Sequence, residues 1–236
     1  IFYMGKKKLK ECICLIPARS GSKRLKNKNI KLINNNPLIE IVIKIAKKSN
    51  LFSDVFVSTD SKKIKKIAES NGAKVPYIRS KRISNDKTGT DQVILDFIKK
   101  IKIKKDFLFC IYPTAILISP NDLIDAYKVL KKRDADCLVS MGEFNSSPYR
   151  SLKIIKNGYI KFWKEKYSNQ NSQELEKLYF DAGAFYIYKT KFFKKNKLKI
   201  LFPNKTIPFI LNHKKSIDIN TNDDFNFAKS IFLNKN

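Results

Sequence analysis

Short apolar runs alternate with amphipathic stretches through the first 140 residues of the chain. The apolar runs predict buried strands at residues 11–16, 54–59, 107–112 and 136–141. The amphipathic stretches predict helices at residues 37–48, 61–71, 90–103 and 121–132, the last of them following Pro120. Continuously apolar strands separated by helices predict an α/β fold with a mainly parallel sheet and helices on both faces.

The alternation breaks after Gly142, where the chain becomes polar and aromatic. Asn157 and Gly158 predict the turn of a hairpin within this stretch. We therefore expect a single domain over residues 1–236 that carries an inserted segment, 142–190, which projects from the sheet and can meet a partner subunit. Further strands are predicted at 184–188, 206–211 and 216–219, and a last helix from a Thr221 cap through Leu233.

The composition indicates whether the chain can bury a core and in which compartment the protein is expected. The chain has 236 residues, of which 43% are hydrophobic and 12% aromatic, so it can bury a core and is not a disordered chain. It contains no apolar run of the roughly 18 to 20 residues that a membrane span needs. We expect a soluble, cytoplasmic protein without a membrane partner.

The formal net charge of +28 invites polyanionic partners, including nucleic acid and nucleotide phosphates. Only six of the basic residues are Arg, the residue preferred for reading base edges, and Lys is scattered over every segment. This distribution indicates a compositional bias, and we expect no nucleic-acid partner. A basic nucleic-acid-binding protein is the alternative from another class, and it would need basic side chains gathered on one face.

Cysteine and histidine are too few and too scattered for most metal or covalent chemistry. The four cysteines lie in apolar runs without a CxxC pair, which favours buried free thiols in a reducing compartment. His213 is the only histidine, and no nucleophile motif surrounds it, so we expect a structural role for it.

The most informative stretch is LIPARSGSKRLKNKN at residues 15–29, which follows the first predicted strand. Open α/β sheets bind ligands at the carboxyl ends of their strands. A Gly/Ser turn at this position can direct backbone amides at phosphate oxygens, and five cationic side chains flank it. The pattern is neither a P-loop nor a GxGxxG fingerprint, because Gly21 is its only glycine. We interpret it as a nucleoside triphosphate site in which Gly21 meets a backbone requirement.

Further short motifs follow this stretch along essentially the whole chain. IPARSGSK at residues 16–23 is followed five residues later by Lys28 and Asn29. After it come VSTD (57–60), Arg79 followed by DKTGT (86–90), IYPTA (111–115), SQEL (172–175), DAGAFY (181–186) and DIN (218–220). With these motifs the chain resembles the sugar-acid cytidylyltransferases, the family of the CMP-sialic acid synthetases and their pseudaminic and legionaminic acid relatives. The combination is most similar to the pseudaminic acid branch of the family.

The resemblance implies a Rossmann-like nucleotidyltransferase fold. It also implies an enzyme that transfers CMP from CTP to the anomeric hydroxyl of a nine-carbon 2-keto sugar acid and releases pyrophosphate. By correspondence with the family motifs, Arg19, Lys23 and Lys28 hold the triphosphate, with Lys28 nearest the reacting phosphoryl group. The implied nucleotide-binding residues around them are Ser20, Gly21, Ser22, Asn29, Arg79, Thr88 and Thr90, the last three at the cytosine and its ribose.

Candidate residues for the sugar acid are Tyr112, Asp181, Phe185 and Tyr186. Aromatic residues at strand ends belong to the core as often as to a ligand site, and both readings of the three aromatic residues stay open. The alternative substrates within the family are sialic and legionaminic acids, followed by Kdo.

The resemblance further implies Mg²⁺ at a D-I-D pattern whose first carboxylate is Asp218. Alternation along a strand would put positions 218 and 220 on one face, as a shared cation requires. The second position here is Asn220, whose amide oxygen can coordinate the ion but brings no charge. Asp223 and Asp224 would either compensate for the missing charge or pair with the N-terminal dipole of the last helix.

A second departure from the family pattern is Asn171. Relatives place an arginine at this position, where the insertion of the neighbouring subunit delivers it to the substrate carboxylate. The resemblance therefore implies a homodimer, with Arg150 or Lys166 as stand-ins for the missing arginine.

Overall fold

The computed structural model describes residues 11–171, 173–195 and 202–234, so Ser172 of the SQEL motif lies outside the described residues. The helices of the described chain are α1 (Leu38–Lys48), α2 (Lys62–Ser70), α3 (Thr90–Ile101), α4 (Pro120–Arg133), α5 (Thr190–Lys195) and α6 (Asn222–Leu233). The strands are β1 (Cys12–Pro17), β2 (Leu32–Ile33), β3 (Asn36–Pro37), β4 (Phe52–Ser58), β5 (Phe107–Ile111), β6 (Cys137–Glu143), β7 (Leu152–Ile154), β8 (Ile160–Phe162), β9 (Tyr179–Lys189) and β10 (Thr206–Leu211). Among these elements, no helix has the length and hydrophobicity to cross a membrane.

Six strands form the central sheet in the order β10-β6-β9-β5-β1-β4. The β1–β4, β1–β5 and β6–β10 pairs are parallel, whereas β9 runs antiparallel to both of its neighbours. The predicted mainly parallel sheet is confirmed. The one reversed strand follows the long polar stretch that interrupts the alternation of strands and helices.

Helices cover both faces of this sheet, as the sequence predicts. Alternating residues of β1 point to opposite faces because the side-chain period of a strand is two. Cys14 and Ile16 pack in the core under α1, α2, α4 and α6. Ile13 and Leu15 pack in the core on the side of α3 and α5. The four cysteines are buried and free, which confirms the prediction of unpaired thiols.

Local sequence signals fix the starts of α4 and α6. Ser119 and Thr221 each form a capping box with the residue three positions later, Asp122 and Asp224 respectively. Pro120 occupies the first position of α4, where its missing N–H costs no helical hydrogen bond. The predicted helix starts are confirmed, and Asp224 serves the helix N-terminus.

The predicted strand at 216–219 is wrong. A 3-10 turn at His213–Lys215 follows β10, and the next five residues pair with no strand of the described chain. Ser216 and Ile219 are nevertheless buried. The apolar alternation that suggested a strand therefore reflects burial of side chains rather than backbone pairing.

The predicted hairpin is confirmed, with β7 and β8 paired in antiparallel fashion and positive φ angles at Asn157 and Gly158. The hairpin lies within residues 144–178, which leave the central sheet after β6 and return to it at β9. We call residues 144–178 the excursion. The predicted insertion, 142–190, is longer than the excursion because its two ends are strands of the central sheet.

Candidate active site

A cavity of about 640 Å³ opens at the carboxyl ends of the central strands. Pro17 ends β1 and Tyr112 follows β5, so the cavity lies where open α/β sheets bind ligands. The predicted site residues in its lining are Arg19, Ser22, Lys23, Lys28, Asn29, Arg79, Thr88, Thr90, Tyr112, Asp181, Tyr186, Asp218 and Asn220. The fold thus brings residues from five separate motifs to one cavity.

The loop after β1 supplies the cations at one end of the cavity. The guanidinium of Arg19 donates to the carbonyl oxygen of Gly21 at 2.8 Å, and the Asn29 side chain donates to the carbonyl oxygen of Arg19 at 2.8 Å. Asn29 is buried, so its side-chain amide anchors the loop to the interior of the protein. Both of these hydrogen bonds lie within the loop and fix its shape.

Asp86 pairs with two of these cations at once. Its carboxylate lies 2.6 Å from Nη2 of Arg19 and 2.7 Å from Nζ of Lys23. Hydrogen bonds from Lys23 and Arg19 lower the pKa of Asp86, so the carboxylate is ionised at neutral pH. Asp86 thus pairs with two side chains to which the resemblance assigns a role in phosphate binding.

Ser20, a predicted nucleotide-binding residue, contacts Asp60 in the structure. Its backbone N–H and its hydroxyl both donate to the carboxylate of Asp60, at 2.8 and 2.9 Å. These donors are therefore committed to Asp60 at the end of the VSTD motif, and Ser20 does not line the cavity. Ser20 ties the cationic loop to the chain that leaves β4, which is an anchoring role.

Gly21 is also outside the cavity lining, and the backbone requirement predicted for it is wrong. Its φ is not positive, and a Cβ added there would meet only the Arg19 side chain, at an ordinary contact distance of 3.7 Å. The glycine with a positive φ at the site is Gly183, where φ is +56°. An added Cβ at Gly183 would lie 3.6 Å from the carboxylate carbon of Asp218.

Lys28 reaches across the cavity to the segment before α6. Its ammonium donates to the carbonyl oxygen of Ile219 at 2.7 Å and lies 3.4 Å from Oδ1 of Asn220. Burial lowers the pKa of Lys28, and the carboxylate of Asp218 opposes this effect. A half-buried ammonium between a carbonyl and a carboxylate is well placed to meet an anion that enters the cavity.

Asp218 and Asn220 face each other on the same segment. The Asn220 amide donates to a carboxylate oxygen of Asp218 at 2.5 Å, and its own carbonyl oxygen faces Lys28. Asp224 accepts from the backbone N–H groups of Asn220 and Thr221, so it is engaged in the helix cap. The described parts of the chain contain no group of three or more Asp, Glu, Cys or His side chains that could hold a metal ion.

These donors fit Mg²⁺ as that ion usually binds. Mg²⁺ is held by one or two protein carboxylates together with waters and substrate phosphates, rather than by a cage of protein ligands. Asp218 offers one carboxylate and Asn220 one amide oxygen, both at the cavity wall. For its oxygen to face an ion beside Asp218, the Asn220 side-chain amide would have to rotate and give up its present contacts with Asp218 and Lys28.

Another part of the cavity wall is formed by the segment predicted to recognise the base. Arg79 is only 3% exposed, and its Nε donates to the Ser84 hydroxyl at 3.1 Å. Burial lowers the pKa of Arg79, and one guanidinium nitrogen, Nη1, has no hydrogen-bond partner among the described residues. The Thr88 hydroxyl donates a hydrogen bond to the side-chain oxygen of Asn85 at 3.1 Å. The Thr90 hydroxyl forms a hydrogen bond with the hydroxyl of Tyr112.

The sugar-side candidates divide between the cavity and the core. Tyr112, Asp181 and Tyr186 line the cavity, and the Tyr186 hydroxyl donates to Asp181 at 2.6 Å. Phe185 is completely buried, with its ring 5.9 Å from that of Phe209. The prediction that Phe185 contacts substrate is therefore wrong, because its side chain belongs to the core.

Three residues of the site, Asp60, Asp86 and Gly183, were not among the predicted site residues, although each belongs to one of the family motifs. Asp60 ends VSTD, Asp86 begins DKTGT, and Gly183 is the glycine of DAGAFY. Their partners are distant along the chain, with Ser20 forty residues from Asp60. The motifs marked these residues, but only the fold shows what they contact.

The fold and the cavity define the class of protein. A mainly parallel sheet with a cationic loop after its first strand is the Rossmann-like fold of nucleotidyltransferases. The solved structure of a CMP:2-keto-3-deoxy-manno-octonic acid synthetase in complex with CTP superimposes with a TM-score of 0.71, covering 95% of this chain and 99% of that one at 16% identity. A cytidylyltransferase from Leptospira borgpetersenii superimposes with a TM-score of 0.61 over 93% of this chain and 85% of the other, at 18% identity.

The chain belongs to the cytidylyltransferase family, whose family model matches residues 13–233. A pseudaminic acid cytidylyltransferase from Campylobacter jejuni serotype O:2 is 33% identical over 223 residues, which are 93% of this chain and 95% of the relative. An N-acylneuraminate cytidylyltransferase from Streptococcus agalactiae serotype V is 29% identical over 215 residues, 90% of this chain and 51% of the relative. The chain is therefore an enzyme of the cytidylyltransferase class.

Proposed function

We propose that this enzyme transfers CMP from CTP to the anomeric hydroxyl of a nine-carbon 2-keto sugar acid, with pseudaminic acid as the first candidate. The observation that carries the proposal is that one cavity is lined both by cations of the loop after β1 and by polar groups of β9. The similarity to a pseudaminic acid cytidylyltransferase over nearly the whole chain supports the choice of sugar. The combination of a nucleotide end and a hydroxyl-binding end matches a two-substrate transfer.

The proposed reaction is an in-line displacement at the α-phosphorus of CTP. The sugar hydroxyl oxygen forms a bond to phosphorus, the bond to the β-phosphate oxygen breaks, and the hydroxyl proton is released with pyrophosphate as the leaving group. Such reactions depend on positioning and on charge stabilisation more than on covalent chemistry. Arg19, Lys23 and Lys28 would bind the triphosphate, with Lys28 nearest the α-phosphate.

Mg²⁺ is the proposed cofactor, held by Asp218 and Asn220 together with the triphosphate. When bound, the ion neutralises negative charge on the phosphate oxygens. Lys28 lies beside the same two residues, so its ammonium would contact the phosphates from the same side. Arg79, Thr88 and Thr90 are the proposed contacts to cytosine and ribose.

We also propose that two copies of the chain pair through the excursion. Its hairpin exposes large apolar side chains to solvent, with Ile154 at 79% and Ile160 at 63% exposed. Leu152 and Trp163 are exposed beside them. Contiguous exposed apolar side chains indicate an interaction surface, and a second copy would cover them. Sedimentation of wild type against Ile154→Asp tests this, since the proposal expects a dimer for the former and a monomer for the latter.

Arg150 and Lys166 belong to the excursion and do not line the cavity of their own chain. Arg150 donates to the carbonyl oxygen of Gln170 at 2.7 Å, close to Asn171. If two copies pair, either side chain would reach a substrate carboxylate only in the partner's cavity. We propose that the enzyme acts in the cytoplasm.

Pyrophosphate release in the presence of CTP and Mg²⁺ tests the proposed function. The panel of acceptors consists of pseudaminic, legionaminic, N-acetylneuraminic and Kdo sugar acids. We expect the highest kcat/KM with pseudaminic acid. A higher value with another acid would transfer the assignment to that acid, and no release with any acceptor would overturn the proposed function.

A further inference from the structure

The strand β9 is interrupted at the cavity wall by a bulge. Val139 of β6 pairs with Tyr186, but Met141, only two residues later, pairs with Asp181. Residues 182–185 of β9 therefore face a single residue of the neighbouring strand, Ser140. Gly183, within the bulge, has a positive φ of +56°. Bulges of this kind bend a strand locally and change the direction of its side chains.

Two hydrogen bonds hold the bulge in place, one to the Ser140 side chain and one between backbone groups. The buried Ser140 hydroxyl accepts from the backbone N–H of Phe185 at 2.9 Å, and the N–H of Tyr112 donates to the carbonyl oxygen of Ala184 at 2.9 Å. Backbone groups that the bulge takes out of the sheet are thereby satisfied. The bulge is consequently a fixed part of the cavity wall.

The consequence is that Asp181 and Tyr186 meet. In a regular strand, residues five apart lie roughly 16 Å from each other and point to opposite faces. Here the Tyr186 hydroxyl donates to Oδ2 of Asp181 at 2.6 Å, while the backbone N–H of Gly183 donates to Oδ1 at 2.9 Å. Each carboxylate oxygen thus has one donor from the bulge.

The two residues of this hydrogen bond, Tyr186 and Asp181, differ in solvent exposure. Tyr186 is 2% exposed, and its ring meets that of Tyr112 edge-on with centroids 5.8 Å apart. Asp181 is exposed at the cavity wall. A carboxylate has about four acceptor sites, so roughly two remain free to face the cavity after both bonds are made.

We propose that Tyr186 is a positioning residue that fixes the Asp181 carboxylate, so that Asp181 accepts hydrogen bonds from the hydroxyls of the sugar acid. The inference rests on the proposed sugar-acid substrate. Holding a charged acceptor in one orientation removes the cost of ordering it when the sugar binds. We expect the effect on the sugar acid rather than on the nucleotide, because Asp181 has no contact with the proposed phosphate-binding cations Arg19, Lys23 and Lys28 among the described hydrogen bonds and ion pairs.

The test compares Tyr186→Phe, Asp181→Asn and the double variant with wild type, using the sugar acid that wild type uses best. A matched control is Tyr127→Phe, because Tyr127 also donates to a carboxylate, that of Glu11 at 2.7 Å, outside the cavity. We expect Tyr186→Phe to raise KM for the sugar acid by about tenfold, the scale of one hydrogen bond to a charged group. KM for CTP should change by less than about twofold, within the spread seen for distant sites.

The double variant should be no worse than Asp181→Asn alone, because Tyr186 acts through Asp181. A purely structural tyrosine would lower the melting temperature in Tyr186→Phe and leave KM for the sugar acid unchanged, which would overturn the inference. An equal rise in KM for CTP would overturn it as well. Inactivity of wild type with every sugar acid would overturn the proposed function and the inference together, whereas an active wild type with an unaffected Tyr186→Phe would overturn the inference alone.

Discussion

The guanidinium of Arg19 lies 2.6 Å from the carboxylate of Asp86, two residues that are 67 positions apart and that both line the cavity. Lys23 pairs with the same carboxylate. Any phosphate that binds these cations has to compete with Asp86 or share them with it. Asp86 begins the DKTGT motif, so this contact also connects the phosphate end of the cavity to the segment assigned to the base.

Asp86→Asn should tighten the binding of pyrophosphate by about threefold to fivefold. The expected size is modest because exposed ion pairs are individually weak. Calorimetric titration with pyrophosphate measures the change directly. Asp54→Asn is the matched control, since Asp54 forms an ion pair with Lys74 at 2.5 Å away from the cavity. Weaker binding in Asp86→Asn would mean that Asp86 orders Arg19 and Lys23 for the ligand instead of competing with it.

Arg19→Ala and Lys28→Ala should each reduce turnover by about 10² to 10³, the scale for removing an electrostatic partner of a transition state. The melting temperature of Arg19→Ala should stay close to that of wild type, because partly exposed loop cations contribute little to stability. Lys26→Ala is the control, since Lys26 belongs to the same loop but is exposed and outside the cavity lining. Near wild-type turnover in both test variants would remove the loop from the phosphate site.

Asn220→Asp should lower the Mg²⁺ concentration that gives half-maximal rate, because it adds a charged oxygen ligand beside Asp218. Asp218→Ala should nearly abolish the metal-dependent rate. A Mg²⁺ titration of rate at saturating CTP compares the three proteins. Superimposable titration curves would show that neither residue holds the metal.

The ion pair between Lys215 and Asp122 should make stability depend on pH. Both carboxylate oxygens of Asp122 lie within 2.8 Å of Nζ of Lys215. Burial alone would raise the pKa of Asp122, but hydrogen bonds from Lys215 and Ser119 outweigh it and lower the pKa below its usual value. A depressed folded-state pKa stabilises the fold above the unfolded pKa of about 3.9, and this contribution disappears as the pH falls through the folded value.

Asp122→Asn should therefore lower the free energy of unfolding by about 1 to 3 kcal/mol at neutral pH, and its difference from wild type should shrink below about pH 4. Urea unfolding at a series of pH values measures both quantities. Asp125→Asn on the same helix is the control, because the pair of Asp125 with Lys128 is exposed on both sides. A difference that stays constant across the pH series would exclude the charge of Asp122 as its cause.

Features set by local sequence could be predicted. Pro120 and Thr221 mark helix starts through properties of one or two residues, and Asn157-Gly158 marks a turn in the same way. The strands of the sheet follow from continuous apolar runs. The error at 216–219 arose because burial and strand pairing produce the same apolar alternation.

The contacts that shape the site could not be predicted, because they depend on which distant segments the fold brings together. Ser20 was expected to face phosphate, and the fold instead places Asp60 against its donors. Phe185 and Tyr186 are neighbours in the sequence, yet one enters the core and the other the cavity wall. The bulge that brings Tyr186 to Asp181 has no signal beyond a single glycine.

The central proposal is that the enzyme binds CTP and a sugar acid in one cavity and transfers CMP specifically from CTP to the sugar acid. The most direct measurement is sugar-acid-dependent pyrophosphate release with CTP, UTP, ATP and GTP as separate substrates, with the CMP-sugar identified by mass spectrometry. The account predicts release with CTP that matches the CMP-sugar formed, and much slower release with the other three. A pocket that pairs with the pyrimidine edge can discriminate strongly against a base that leaves its polar groups unpaired. Equal rates with CTP and UTP, or pyrophosphate release that does not depend on the sugar acid, would contradict the account.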